Sequence, residues 1–461
     1  MSDFAAHPAS FRDPSGFLFE HEGSIFRHIN LVYREHFDHL IGSGLYDALV
    51  KEGLLIPHRE VEIRQFIGES TYKIIRPDRI PFISYPYEWC FSQLKDAALA
   101  TLRIQKTALD NQMVLKDGSA YNIQFLSGRP VLMDTLSFAK YTEGLPWVAY
   151  RQFCQHFLAP LALMSLKDVR LNQLFRIYLD GIPLDLSSSL LPRKSLFSFP
   201  LLTHVHLHAK SQKHYAQKSA PATKRKITRM QMLALIDNLE SAVRKLEWKP
   251  ARTEWADYYR QINYPDEAFT RKKALVASFI DRVRPRTLWD LGSNTGLFSA
   301  IASQKGILTL SFDIDPAAVE INYLKAREAK DPCLLPLLMD LTNPSPAIGW
   351  RNRERMSLTE RGPVDMVLAL ALIHHLAITH NCPLDRIAQF FGELAPSLAV
   401  EFVPKEDSQV RKLFTVREDV FRDYHEEHFR KVFGRYFNIL QAEKIEGTVR
   451  TLYLMQRRKQ P

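Results

Sequence analysis

Apolar positions change their rhythm part-way along the chain. From Thr287 onward, short apolar runs, at 287–291, 308–313, 334–339, 364–370 and 398–403, alternate with segments of helical periodicity. Such runs fit strands covered on both faces, and helices between them predict a parallel sheet flanked on both sides. Two amphipathic helices precede it. Residues 230–246 place Met232, Leu233, Leu235, Ile236, Leu239, Val243 and Leu246 at helical spacing, and 266–283 gives a second helix. The first of these is expected to open the second domain. The first half of the chain is less regular. It predicts an apolar strand and turn at 81–89 and a helix from Phe91 to about Ala108. A hairpin of Ile123-Gln124-Phe125 with Arg129 to Met133 follows, ending at Asp134.

Size and charge sharpen this division. At 461 residues, 46% hydrophobic and 24% charged, the chain exceeds one ordinary core and is too apolar for a disordered tail. The formal charge of +10 is concentrated: residues 1–203 carry 21 basic and 21 acidic side chains, 204–262 carry 12 and 5, and 263–461 carry 28 and 25. No acidic residue occurs between Asp185 and Asp237, while Lys210, Lys213, Lys218, Lys224, Arg225, Lys226 and Arg229 accumulate there. The resulting layout is an N-terminal α+β domain at 1–203, a basic connector at 204–229 and a catalytic domain at 230–461. The connector reads as a solvated linker, with RNA or phosphate contact as its alternative. His204, His206 and His208 alternate as on a strand face, but without a nearby carboxylate or cysteine they do not predict a metal site. Cys90, Cys154, Cys333 and Cys382 form no CxxC or zinc-ligand spacing. With no signal peptide pattern and no apolar run long enough to span a bilayer, a cytoplasmic protein without membrane insertion is expected. No internal repeat is present.

The most informative stretch is Thr-Leu-Trp-Asp290-Leu-Gly292-Ser-Asn294-Thr-Gly296-Leu, in which a strand runs through an acidic residue into a glycine-bearing turn and a helix start. Glycines there let the backbone approach a ligand closely. A carboxylate at this strand end would repel a pyrophosphate and suits a cationic ligand. The second strand ends at Asp313, 23 residues on, where a carboxylate can accept both hydroxyls of a ribose. The third ends at Asp340, which can accept from an adenine amino group. Asp315, just before Pro316, reads as a helix cap.

These residues resemble the class I S-adenosylmethionine-dependent methyltransferases, over about residues 251–445. Carried over by position, the resemblance implies a Rossmann-like fold that binds S-adenosyl-L-methionine through Asp290, Gly292, Asn294, Gly296, Asp313 and Asp340. Asp290 would lie near the methionine amino group, with Asp313 at the ribose and Asp340 at the adenine. Asn294 stands where the family usually has a middle glycine, and asparagine also tolerates left-handed geometry. The resemblance puts the acceptor over the fourth and fifth strands, where His375 is the first candidate for a catalytic base and His374 the second. Glu401, on the fifth strand, would orient the histidine or bind the acceptor, an internal ion pair with an arginine being the alternative. No Asn-Pro-Pro-Tyr sequence is present, and the one Pro-Cys pair, Pro332-Cys333, precedes the third strand and does not follow the fourth, which argues against amino- or C5-methylation of DNA. Trp255, Tyr258, Tyr259 and Tyr264, with Lys272 and Lys273, read first as ordinary helix packing, with an acceptor cover that stacks a substrate ring as the alternative.

In the N-terminal half, Asp117, Asn122 five residues on, and Asp134 after a hairpin resemble the catalytic and metal-binding loops of protein kinase and aminoglycoside phosphotransferase folds. A glycine-rich phosphate loop and the histidine before the first Asp are both absent, so active phosphoryl transfer is not expected. The alternative has Asp117-Gly118 as a turn and Asp134 as a helix cap. The whole-chain layout resembles bacterial two-domain methyltransferases near the nodulation host-specificity group. That resemblance implies O- or N-methylation of a small molecule, glycan or natural-product intermediate. The alternatives are an RNA methyltransferase that uses the basic connector and a non-catalytic cofactor-binding regulatory protein.

Overall fold

Two units divide the chain: Met1–Lys249 with Ile348–Arg355, and Pro250–Ala347 with Met356–Pro461. The structure, a computed structural model, describes residues 6–63, 68–210, 226–250, 266–414 and 418–458. Trp255, Tyr258, Tyr259, Tyr264 and the connector residues Lys213, Lys218, Lys224 and Arg225 lie outside the described residues.

The first unit begins with an antiparallel sheet of β1 (Gly16–His21), β2 (Ser24–Asn30), β3 (His58–Val61) and β4 (Thr71–Pro77), in the order β1-β2-β4-β3. The expected helix spans Phe91–Asp110 and buries Leu94, Ala97, Ala98, Thr101, Leu102, Gln105 and Ala108 along one stripe. Gln93 starts it by accepting the Cys90 N–H at 2.9 Å. β5 (Met113–Leu115) pairs with β8 (Phe138–Lys140), and between them β6 (Ile123–Leu126) and β7 (Arg129–Leu132) form the predicted hairpin. Residues 81–89 hold no strand. Pro81 and Pro86 remove ladder donors, and the segment forms a short 3-10 turn, Pro86–Glu88, where Glu88 accepts the Tyr85 N–H.

Two further expectations are corrected in this unit. The helix Arg229–Lys245 belongs here and does not open the second unit. Its carboxylates Asp237 and Glu240 pair with Lys106 at 2.6 and 2.5 Å, and Met232 Sδ accepts from Gln105 at 3.8 Å. An apolar stripe shows that a helix has a partner but not which partner it has. His204, His206 and His208 lie on a helical segment, not on a strand. His204 bonds Tyr150 and Asn238, His206 bonds Ser188 and Ser195, and His208 stacks on Tyr150. Three alternating residues are too few to fix a period.

The second unit contains one seven-stranded sheet. β9 (Thr287–Leu291), β10 (Leu308–Asp313), β11 (Leu334–Leu338), β12 (Met366–Ala369) and β13 (Ser397–Phe402) are parallel, and β14 (Phe437–Lys444) and β15 (Thr451–Arg457) complete the order β11-β10-β9-β12-β13-β15-β14. β15 runs antiparallel to both neighbours. The five parallel strands match the predicted runs to within three residues at either end, and the Rossmann-like α/β fold is as expected. The hairpin β14–β15 lies outside the predicted runs: edge strand β14 alternates partly buried with exposed positions and carries no continuous apolar run, whereas Leu452–Met455 of β15 is such a run and was an available signal. The helix Asp266–Val283 has the predicted bounds and sets Val276, Phe279 and Ile280 into a core shared with Leu288, Met366, Leu368, Ala399 and Leu454. The strand order reverses between β10-β9 and β9-β12, which opens a crevice at the carboxyl ends of these strands.

Candidate functional site

The turn after β9 is built to bring backbone into that crevice. The N–H groups of Gly292 and Ser293 both donate to Phe312 O at 2.9 Å, tying the turn to β10. Gly292, Asn294 and Gly296 hold φ of 74°, 53° and 77°. At Gly296 a Cβ would stand 2.1 Å from Asn322 Oδ1, so no other residue fits without moving the buried Asn322, which bonds Ser311. Asn294 satisfies its left-handed position by accepting the Thr295 N–H at 2.8 Å, while its own N–H donates to Asp313 Oδ2 at 2.7 Å.

A cavity of ≈ 320 Å³ opens above this turn, and Asp290, Gly292, Asn294, Asp313, Asp340 and His375 all line it. Gly296 does not line it and closes the turn by donating its N–H to Ser293 O at 3.0 Å. Asp290 accepts from Ser299 Oγ at 2.6 Å. Burial pushes its carboxyl up to about 7, with the charge of Asp313 adding to the shift. Asp313 accepts the Asp315 and Asn294 N–H groups, yet burial still pushes it up to about 6. Two buried carboxylates therefore share one wall with too little positive charge to hold both ionised. Asp340 turns one oxygen to the Thr342 N–H and hydroxyl, at 2.8 and 2.6 Å. Asp315 caps the helix Pro316–Glu328 through the Ala317 N–H, as expected.

The three catalytic candidates separate. His375 reaches the cavity, and burial pushes its imidazole down to about 4, aided by His380 and Arg450. His374 does not line it. Its ring is buried 4.1 Å from that of His375, held well below the usual range by burial, and its Nδ1 has no hydrogen-bond partner among the described residues. Glu401 takes the ion-pair alternative. It is fully buried on β13 and meets Lys272 Nζ at 2.6 Å and Arg450 at 3.3 Å, while Arg450 also holds Asp407 at 2.7 Å. A carboxylate inside a central strand needs such partners, because desolvation without them would be prohibitive.

Lys272 is the residue whose placement the sequence reading underused. It stands on the cavity wall with its ammonium 4.9 Å from the Phe298 ring centroid. The available signal was a lysine on the apolar stripe of its helix, four residues from both Ala268 and Val276. Ala371, also on the wall, holds φ of 50°, a strained value for alanine that nothing in its residue type announces.

In the first unit the hairpin brings Asn122 beside Asp134, since Asn122 O accepts the Met133 N–H at 2.9 Å, and the buried Asn122 Nδ2 has no hydrogen-bond partner among the described residues. The two carboxylates serve local structure. Asp117 accepts from Gln152 and from the Ser119 N–H, and Asp134 meets Arg27 at 3.1 Å and accepts from Ser137. Asp134 is not a helix cap. It anchors a turn to the guanidinium of β2.

No protein-family model matches the chain. The nodulation protein NoeA of Rhizobium meliloti (strain 1021) is 35% identical over 456 residues, spanning 97% of this chain and 95% of its own. The chain belongs to the NoeA family. Solved structures similar to parts of this family member include the magnesium protoporphyrin IX methyltransferase ChlM of Synechocystis PCC 6803 with bound SAH. ChlM is 19% identical, covers 44% of this chain and 94% of its own, and has a TM-score of 0.32. Another is the bifunctional kinase-methyltransferase WbdD, 15% identical, with 41% and 38% covered and a TM-score of 0.28. Likenesses of that size carry no argument about ligand or reaction, which rest on the geometry above. Among the described residues no helix is long and apolar enough to cross a membrane.

Proposed function

We propose that the protein is a methyltransferase that uses S-adenosyl-L-methionine to methylate an oxygen or nitrogen of a small molecule, glycan or natural-product intermediate. The observation that carries this reading is the pair Asp290 and Asp313, buried at the ends of adjacent parallel strands on one cavity wall and both shifted upward by burial. Such a pair favours a ligand that brings positive charge or hydrogen-bond donors and disfavours one that brings phosphate. In this reading Asp290 holds the ammonium, Asp313 the ribose hydroxyls and Asp340 the adenine edge. Lys272, fixed by Glu401 on the same wall, supplies a positive charge for the cofactor's carboxylate. Phe269, Phe298, Ile314 and Met339 provide the apolar surface for the rest.

When bound, the cofactor supplies a methyl group on a sulfonium sulfur, and in-line displacement makes positioning the largest demand on the protein. Burial pushes the His375 imidazole down to about 4, which keeps it neutral at pH 7 and able to accept a hydrogen bond from an acceptor hydroxyl; as a base it is weak, so it receives that proton only as the oxygen–methyl bond forms. Radiolabelled methyl transfer into fractionated cell extract tests the reading and sorts RNA from small-molecule acceptors. His375→Ala is expected to lower turnover about 10²- to 10⁴-fold while leaving affinity for S-adenosylhomocysteine unchanged. Unchanged turnover would remove His375 from the chemistry.

A further inference from the structure

Near the end of the first unit the chain makes a tight point. Arg193–Phe197 forms a 3-10 turn and a second helical segment starts at Phe199. Ser195 is buried and fixed: its hydroxyl donates to Pro192 O at 2.7 Å and lies 2.9 Å from His206 Nε2, whose Nδ1 lies 2.7 Å from Ser188 Oγ. In a turn that repeats every three residues, holding Ser195 inward sends its neighbours on both sides outward. Phe197 is accordingly 92% exposed, Phe199 66%, Leu207 47% and Leu196 45%. Arg193, Lys194 and Lys210 are exposed alongside them.

In sequence no acidic residue lies between Asp185 and Asp237, and within that stretch Arg193, Lys194 and Lys210 are the described, exposed cations that accompany the apolar side chains, whereas Arg229 is paired with Asp110. Bulky apolar side chains at a projecting tip, set among cations, fit the boundary between headgroups and acyl chains of an anionic bilayer. Nucleic acid would account for the cations and for ring stacking, but Leu196 and Leu207 offer nothing to a base. We propose that the tip at Leu196, Phe197 and Phe199, with its basic surroundings, docks the protein peripherally on an anionic lipid surface. The apolar side chains and the cations Arg193, Lys194 and Lys210 supply the two weak signals that together hold a protein at a membrane.

Co-sedimentation of the full-length protein with vesicles tests this. Vesicles of phosphatidylcholine mixed with phosphatidylglycerol should bind it, and vesicles of phosphatidylcholine alone should not. Phe197→Ser with Phe199→Ser should weaken binding roughly tenfold, and Arg193→Gln or Lys194→Gln roughly fivefold each. Unchanged thermal midpoints would confirm that the variants fold. The proposal is overturned if mixed vesicles fail to bind the folded protein, or if the double phenylalanine variant binds them as well as the parent. It is equally overturned if the chain binds single-stranded RNA but no vesicle, or if the double variant only converts an oligomer to a monomer.

Discussion

Both units gather acidic residues around a turn, yet their surroundings give those residues opposite roles. In the second unit Asp290 and Asp313 face a cavity, and burial raises both toward neutrality. In the first, Asp134 is matched by Arg27, which also holds Asp13, and Asp117 is occupied by Gln152 and a backbone N–H. Carboxylates that are internally paired build a fold, whereas carboxylates left facing an opening build a site. Glu401 repeats the first pattern inside the second unit, because Lys272 and Arg450 absorb its charge.

Perturbing the paired groups should therefore cost stability, and perturbing the cavity groups should cost binding. The largest loss is expected at Glu401. Glu401→Ala leaves Lys272 and Arg450 buried without it, so thermal or denaturant unfolding should show a loss of about 3–5 kcal/mol. A variant as stable as the parent would mean that Glu401 is not the structural member of the comparison. A smaller effect is expected at Arg27, whose side chain is 11% exposed. Arg27→Ala should cost about 1–3 kcal/mol of stability by unpairing Asp13 and Asp134, and leave S-adenosylhomocysteine affinity as it was. Gain of magnesium-dependent nucleotide binding in that variant would instead make the first unit a site closed by its arginine.

How much was legible follows from the same contrast. Strands β9 and β10 matched the predicted runs residue for residue, because Leu288, Trp289 and Leu291 in one and Leu308, Leu310 and Phe312 in the other flank the carboxylates of the crevice. The carboxylates at those strand ends were legible for the same reason. Strand β14, where polar residues break up Phe437, Ile439, Leu440 and Ala442, left no such trace. The helix Arg229–Lys245 was read correctly as a helix and assigned to the wrong unit, since its stripe does not name its partner while Lys106, 131 residues before Asp237, does. Glu401 and His374 look like Asp290 and His375 in sequence. Only packing distinguishes a charge facing Arg450 from one facing an opening.

Calorimetric titration of S-adenosylhomocysteine into the parent, Asp313→Ala and Asp117→Ala tests that contrast most directly. Asp313→Ala should weaken binding by about 1.5–3 kcal/mol, and Asp117→Ala should leave it unchanged. Because Asp290 and Asp313 must shed protons held up to about 7 and about 6, affinity in the parent should rise from about pH 5 to about pH 8 and level off above. The same shifts make the unliganded fold bind more protons than the unfolded chain in that range, so its stability should fall as binding improves. Absence of binding to the folded parent, or equal losses in Asp117→Ala and Asp313→Ala, would contradict the account.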